Sequence, residues 1–380
     1  MVQNKYKKLI EELNGIMQNR SEEITALVLG HVSMTHVVML GDPGTGKSYL
    51  VRKFAEAFPS DASSTIPFFE IGLNSFTKPE DVFGGIDIHR WKTTSELVYN
   101  SANFLPNARI AFLDEMSRGE AVLNSLLTIV NERTFNVNGV AQKVPLEMAI
   151  SATNFKFSSN EFEAMRDRFL QWLTPQKLDL HDEESLFKLW QSDDNQQITV
   201  RITEAELKQV RAEVNAVKFD EDTLKAFKTI LIELKDNGIL VSDRRSKAIL
   251  KLVKASAWMD CRDTMSTADL ECIWSALWSD ENQISTVKKV IRKYVNPERQ
   301  IIDDVFEGSQ LLMQNWKTNP VATSASEVSR QLKHMKSQLK KIGTPKAANK
   351  QSFDMANFLL DKFQETIADV ILQKAGTLGI

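Results

Sequence analysis

Eight consecutive residues constrain this chain more than any other feature: Gly41-Asp42-Pro43-Gly44-Thr45-Gly46-Lys47-Ser48 fits G-x-x-x-x-G-K-[ST]. The motif follows the strand-like HVVML and leads into the helix-like SYLVRKFAEAF, which is the setting it requires. Glycines let such a loop wrap closely around phosphates. Successive backbone N–H groups and the following helix N-terminus then converge on negative charge. By this pattern Lys47 reaches the β- and γ-phosphates of a nucleotide, and the Ser48 hydroxyl ligates Mg²⁺. Asp42, Pro43, Gly44, Thr45, Gly46, Lys47, Ser48 and Tyr49 are the expected nucleotide-binding residues. A glycine-rich turn with an incidental lysine would match the composition but not the strand–loop–helix order.

A cradle of this kind needs a sheet behind it. Short apolar runs at 36–40, 67–71, 110–113, 146–151 and 169–173 alternate with helical patterns up to about residue 175. Several are nearly continuous in apolar residues, as suits parallel strands buried on both faces. Further on, the runs 203–217, 221–236, 244–259, 268–279 and 283–294 carry apolar residues three and four apart. Thr203 with Glu206 reads as a capping box, and Ser266 with Asp269 as a looser one. Asn296-Pro297 interrupts the pattern, and helical stretches follow at 299–317, 325–342 and 351–373. The expected architecture is an α/β nucleotide-binding domain with a parallel sheet over 1–180, an all-α lid over 181–295 and a C-terminal helical domain over 296–380.

Composition narrows the setting. Lys and Arg number 47 against 50 Asp and Glu, which argues against a general nucleic-acid coat or a polybasic membrane binder. Cys261 and Cys272 are too few for a disulfide scaffold or a thiolate zinc site. No stretch approaches the roughly 18 uncharged apolar residues of a membrane span, and the N-terminus lacks a signal-peptide core. The expectation is a soluble, cytoplasmic protein of several domains with no membrane span.

Hydrolysis needs more than a cradle. The apolar run 110–113 ends in Asp114-Glu115. Asp114 is expected to hold Mg²⁺ through its water shell. Glu115 points the other way by strand alternation, to orient and deprotonate the attacking water. Asn154, at the end of another apolar run, offers an amide to the γ-phosphate or the water. An arginine in Met165-Arg166-Asp167-Arg168-Phe169 suits a subunit edge from which it stabilises charge in a neighbour's site. A surface ion pair with Asp167 is the competing reading. Ser242-Asp243-Arg244-Arg245 opens a lid helix and offers a second cationic group for the γ-phosphate, and a solvated helix start is its alternative.

The ordered set GDPGTGKS, IAFLDEM, SATN, MRDRF and SDRR resembles an AAA+ ATPase. The segments KPEDVFGGIDI, FLPNA and LNSLLTIVNER are similar to the MoxR branch, closest to its RavA-like members. The resemblance spans roughly 15–260. It implies an inserted β-hairpin after PEDVFG, a pre-sensor hairpin at 134–139, Asn154 as sensor 1, Arg168 as arginine finger and Arg244 as sensor 2, with Arg245 as the register alternative. It further implies ATP and Mg²⁺ as cofactors, ATP hydrolysis, a homo-hexameric ring and remodelling or chaperone-like work with a von Willebrand factor A-domain protein. Two rivals stand beside it. One is a nucleic-acid motor, suggested by Arg330, Lys333, Lys336, Lys340, Lys341, Lys346 and Lys350 but not favoured, because no aromatics interleave them and a solvated helix face explains them. The other is a nucleotide-gated structural ring that hydrolyses slowly.

Overall fold

Five parallel strands carry the first half of the chain in the computed structural model, which describes residues 2–60, 65–94, 99–137, 140–154, 165–177, 187, 196–318, 325–345 and 349–377. Helices α1 (Val2–Ile16) and α2 (Ser21–Ser33) precede β1 (Val37–Leu40), the glycine-rich loop and α3 (Lys47–Ala55). There follow β2 (Ile66–Gly72), α4 (Pro79–Phe83), β3 (Gly85–Ile86), α5 (Ile88–Thr94) and β4 (Tyr99–Asn100). Next come β5 (Ala108–Asp114), α6 (Glu120–Glu132), the strands β6 (Thr134–Val137) and β7 (Val140–Lys143), then β8 (Met148–Thr153) and β9 (Gln171–Leu173). The all-α part comprises α7 (Glu204–Ala216), α8 (Glu221–Asp236), α9 (Asp243–Met259), a 3-10 segment Thr267–Ala276, α10 (Ile284–Val295), α11 (Pro297–Thr318), α12 (Ala325–Ile342) and α13 (Lys350–Thr377).

The sheet order is β2-β5-β8-β1-β9, and every pair is parallel. β1 and β8 are buried along their whole length, and β5 up to its last residue. The edge strand β2 buries only Phe69 and exposes Pro67, Glu70 and Gly72, so its run is not continuously apolar as the inner ones are. From β1 the chain crosses to β2 on one side, and from β8 it crosses to β9 on the other. β1 is therefore the switch point, where open α/β sheets form a crevice at the carboxyl ends of their strands.

Two antiparallel ribbons leave this sheet. β3 and β4 pair over two residues each with α5 between them, and β6 pairs with β7 over four. Both lie where the resemblance implies hairpins. Gly84 makes the first possible: its φ is +85°, and a Cβ there would overlap the Asn100 carbonyl oxygen.

Caps start the helices of the second half. Thr203 Oγ1 accepts from the Glu206 N–H at 3.2 Å, and Glu206 Oε2 accepts from the Thr203 N–H at 3.0 Å, so both directions of the box form. The looser box forms as well, with Asp269 Oδ2 accepting from the Ser266 N–H at 2.7 Å. The helix that this second box starts differs from expectation, because Thr267–Ala276 is a 3-10 helix and not the α-helix expected over 268–279. Leu270, Ile273 and Ala276 are buried at a spacing of three, the 3-10 period. Arg262 and Ser256 bond the buried Asp269 carboxylate and hold the segment against α9.

The chain divides into two compact units, Met1–Ile284 and Ser285–Ile380. In the second, α11, α12 and α13 enclose a core that includes Ile302, Trp316, Leu332 and Phe363. Within the basic run, Lys333 and Lys340 are exposed, Arg330 pairs with Glu327 and Lys336 with Asp361; Lys346 lies outside the described residues. Among the described residues no helix is long and apolar enough to cross a membrane.

A buried polar chain ties α1 and α2 to the sheet. The Tyr6 hydroxyl donates to His31 Nδ1 at 2.9 Å, and His31 Nε2–H donates to Glu147 Oε2 at 3.0 Å, the tautomer that satisfies both partners. Arg109 Nε donates to Glu147 Oε1 at 2.8 Å. Burial works to raise the Glu147 carboxyl, but the hydrogen bonds from His31 and Arg109 and the Arg109 charge hold it below the usual carboxylate range. Burial keeps His31 low and neutral. A depressed carboxyl stabilises the fold above its unfolded value and loses that contribution as pH falls through its folded value. The melting temperature should therefore drop on acidification below the ordinary carboxylate range. Glu147→Leu should remove on the order of 3 kcal/mol at neutral pH by stranding Arg109, and flatten that acid dependence, both read by thermal melts across pH.

Candidate functional site

The glycine-rich loop lies at the carboxyl end of β1, the switch point of the sheet. Gly44 and Gly46 take φ of +81° and +78°, the left-handed region that makes glycine necessary at both places. Asp42, Pro43 and Gly44 are exposed, Thr45 is buried, and Gly46, Lys47, Ser48 and Tyr49 are half-buried. Lys47 Nζ donates to the carbonyl oxygens of Gly41 and Asp42, each at 2.7 Å, and to Thr45 Oγ1 at 3.2 Å. Partial burial lowers the Lys47 amine from its ordinary value, opposed by the charges of Asp114, Glu115 and Asp42. Those carboxylates thus share the lysine's field.

β5 brings the two acids to the same end of the sheet, but strand alternation does not separate them. The strand ends at Asp114, and Glu115 turns into the left-handed region with φ 53°. Its N–H bonds the Ala152 carbonyl at 2.8 Å and Asp114 Oδ1 at 3.0 Å. Its Oε2 is buried without a hydrogen bond among the described residues, and Arg118 Nε stands 3.7 Å away as a loose ion pair. An unsatisfied carboxylate oxygen beside a phosphate cradle can take a proton from water.

Ser48, in the first turn of α3, and Asp114 supply one hydroxyl and one carboxylate from elements that pack together. Hard oxygen donors in that number, completed by waters and phosphate, are the set Mg²⁺ takes, and these residues fit it.

A cavity of about 380 Å³ opens beside the loop. Gly41, Asp42 and Thr45 line it together with Thr153 and Asn154 at the end of β8, and with Lys177 and Glu281. The structure thus joins Asn154 to the loop. Lys177 and Glu281 are additions that sequence patterns missed: Lys177 Nζ pairs with Asp42 Oδ2 at 3.0 Å. No local signal marks either residue. Lys177 arrives because β9 pairs in parallel with β1, and Glu281 because the chain after the 3-10 segment returns there.

The three arginines lie away from the cavity lining. Arg168 is half-buried on the helical turn 165–168. On that turn Arg166 donates to the Leu277 carbonyl at 3.1 Å and to Ser279 Oγ. Positions two apart on a helix face different ways, so Arg168 projects from another flank. Arg244 is exposed and bonds Asn131 Oδ1 on α6. Arg245 is buried and donates to the carbonyls of Ala276 and Leu170, each at 2.6 Å, and of Arg166. That role is a clamp between α9 and the end of the sheet, with its donors committed to backbone.

The sequence profile for the "MoxR domain in the MoxR-vWA-beta-propeller ternary systems" matches residues 4–212, and that of an AAA lid domain matches 221–291. An uncharacterised protein of Methanocaldococcus jannaschii is 29% identical over 97% of this chain and 98% of its own. A second from that organism is 30% identical over 79% of this chain and 80% of its own. Chaperone MoxR1 of Mycobacterium tuberculosis is 28% identical over 43% of this chain and 42% of its own. The crystal structure of a candidate ATPase from Cytophaga hutchinsonii shares the fold with a TM-score of 0.59 at 19% identity, covering 77% of this chain and 94% of that one.

Proposed function

The chain belongs to the MoxR family of AAA+ ATPases, and on that premise we propose that it hydrolyses ATP in a cytoplasmic homo-hexamer to remodel a protein or protein complex. The observation that carries this reading is the meeting of the glycine-rich loop, Asn154 and the Asp114-Glu115 pair at the carboxyl ends of β1, β8 and β5.

The roles follow from position. Asp42 to Tyr49 form the cradle, with Lys47 giving its charge to the outer phosphates in place of the loop carbonyls it now bonds. Ser48 and Asp114 hold Mg²⁺, which neutralises phosphate charge. Glu115 accepts the proton of the attacking water, and Asn154 orients that water or the γ-phosphate. Arg168 serves a neighbouring subunit. Arg244 is the lid's sensor of nucleotide, and its bond to Asn131 is then an arrangement that nucleotide must displace. We retain 1–180, 181–295 and 296–380 as the working domains. The profile's own description supports a von Willebrand factor A-domain partner, and the segments KPEDVFGG and FLPNA support RavA-like kinship. A nucleic-acid client is not favoured, and two cations of the basic run, Arg330 and Lys336, are paired with Glu327 and Asp361.

Steady-state phosphate release from Mg-ATP tests the reading, and turnover near zero in the assembled protein would favour a structural ring. Lys47→Ala removes charge-assisted bonds worth about 2 kcal/mol to the phosphates, so equilibrium binding should weaken on the order of 30-fold or more. Unchanged binding would take Lys47 out of the cradle.

A further inference from the structure

We infer that Arg20 is a positioning residue of the nucleotide site, its guanidinium fixing the peptide unit between Thr45 and Gly46 in the orientation that receives a polyphosphate. The inference rests on the nucleotide-binding reading above and adds a residue to it.

Arg20 stands at the end of the connector between α1 and α2 and is only 6% exposed. Nη2 donates to the Thr45 carbonyl at 2.9 Å, and Nη1 to the Asn19 carbonyl at 2.9 Å. A buried guanidinium is expensive to keep unless its donors are used, and here one of them is spent on the glycine-rich loop. The same connector covers the loop a second time: Met17 Cε would lie 2.9 Å from a Cβ placed on Gly46.

The bonded carbonyl matters because of what lies across the peptide bond. In a trans peptide the C=O and the next N–H point to opposite sides. Holding the Thr45 oxygen toward Arg20 therefore turns the Gly46 N–H to the opposite face of the loop. Turned over, the same peptide would present a carbonyl oxygen to phosphate oxygens, which repel it. Glycine makes that flip easy, since Gly46 tolerates both signs of φ. The freedom that lets the loop wrap phosphates is thus a freedom to present the wrong atom, and Arg20 removes it. Its fixed positive charge also reaches the cradle, where it contributes to lowering the Lys47 amine.

The test compares ATP affinity, by equilibrium dialysis with Mg²⁺, in the parent, Arg20→Met, Arg20→Gln, Arg20→Lys and Lys47→Ala. Circular dichroism and nucleotide-free melting temperature are recorded for each. Arg20→Met should weaken ATP binding on the order of tenfold at temperatures where it is fully folded. Arg20→Lys, which keeps a cationic donor, should recover most of that loss. A merely structural arginine would lower the melting temperature and leave the affinity of the folded protein alone, and that result overturns the inference. Should Arg20→Met fail to fold, Arg20→Gln decides: weakened binding supports the role and parental affinity removes it. A parent that binds no more ATP than Lys47→Ala would sink the nucleotide reading itself. A parent that binds well, beside Arg20 variants that bind equally, would sink only Arg20.

Discussion

Glu115→Gln should hold ATP within about threefold of the parent yet turn it over slower by roughly 10²- to 10⁴-fold, the range lost with a general base. The substitution keeps shape and removes the one property that the chemistry needs, since an amide cannot accept the proton of water. The structure gives that carboxylate a suitable setting. Its N–H is held twice, by the Ala152 carbonyl and by Asp114, while Oε2 is buried without a hydrogen bond among the described residues. Its backbone sits at φ 53°, a conformation that costs a non-glycine residue on the order of 1 kcal/mol and collects at working sites. Equilibrium binding and single-turnover phosphate release separate the two effects. Turnover within about tenfold of the parent, some 1.4 kcal/mol of barrier, would move the base elsewhere. The same variant, if it holds ATP without release, is the form in which a client or a von Willebrand factor A-domain partner is best captured.

That left-handed turn also marks where sequence reasoning stops. The strands were legible because their inner positions are buried on both faces, leaving unbroken apolar runs such as Ile110 to Leu113. The glycine-rich loop was legible because its motif spacing marks Gly44 and Gly46, the two positions that take positive φ. The capping boxes were legible because their partners are three residues apart. The conformation of Glu115 was not legible, because alternation describes a strand and says nothing of where it ends. The 3-10 segment hid behind Leu270, Ile273 and Ala276, since a spacing of three fits either helix over so short a run. Lys177, Glu281 and Arg20 carry no local mark at all; parallel strand pairing and helix packing bring them to the loop from distant parts of the chain. The same holds for Tyr6, His31, Arg109 and Glu147, whose buried network joins α1, α2, β5 and the segment that leads into β8. Arg244 and Arg245 are adjacent and look alike in sequence. One is exposed and bonded to a helix of the α/β part, and the other is buried with its guanidinium on three carbonyls, a difference set by which face of α9 meets the sheet.

Arg168→Ala should leave each loop able to bind ATP while hydrolysis falls on the order of 10³-fold, the loss expected when a finger supplied in trans is removed. The expectation turns on where the residue can act. Arg166 is drawn inward to Leu277 and Ser279, which fixes the helical turn and leaves Arg168 on another flank, outside the lining of its own cavity. On the proposed reading its charge acts from there on a neighbour's γ-phosphate. Turnover per subunit of the parent should then rise with protein concentration, because an isolated subunit lacks the finger. Mixing gives the sharper measurement. An Arg168→Ala subunit keeps its own Lys47 and Glu115, and a Glu115→Gln subunit keeps its Arg168. Each is nearly inactive alone. Combined in equal amounts, they should form some interfaces that pair an intact base with an intact finger, and phosphate release should recover to a sizeable fraction of the parent's. Mixtures that stay as inactive as their components, under conditions where sedimentation shows that they co-assemble, would confine the arginine to its own subunit. Full activity of Arg168→Ala alone, or of a dilute monomer, would remove both the finger and the ring that the finger requires.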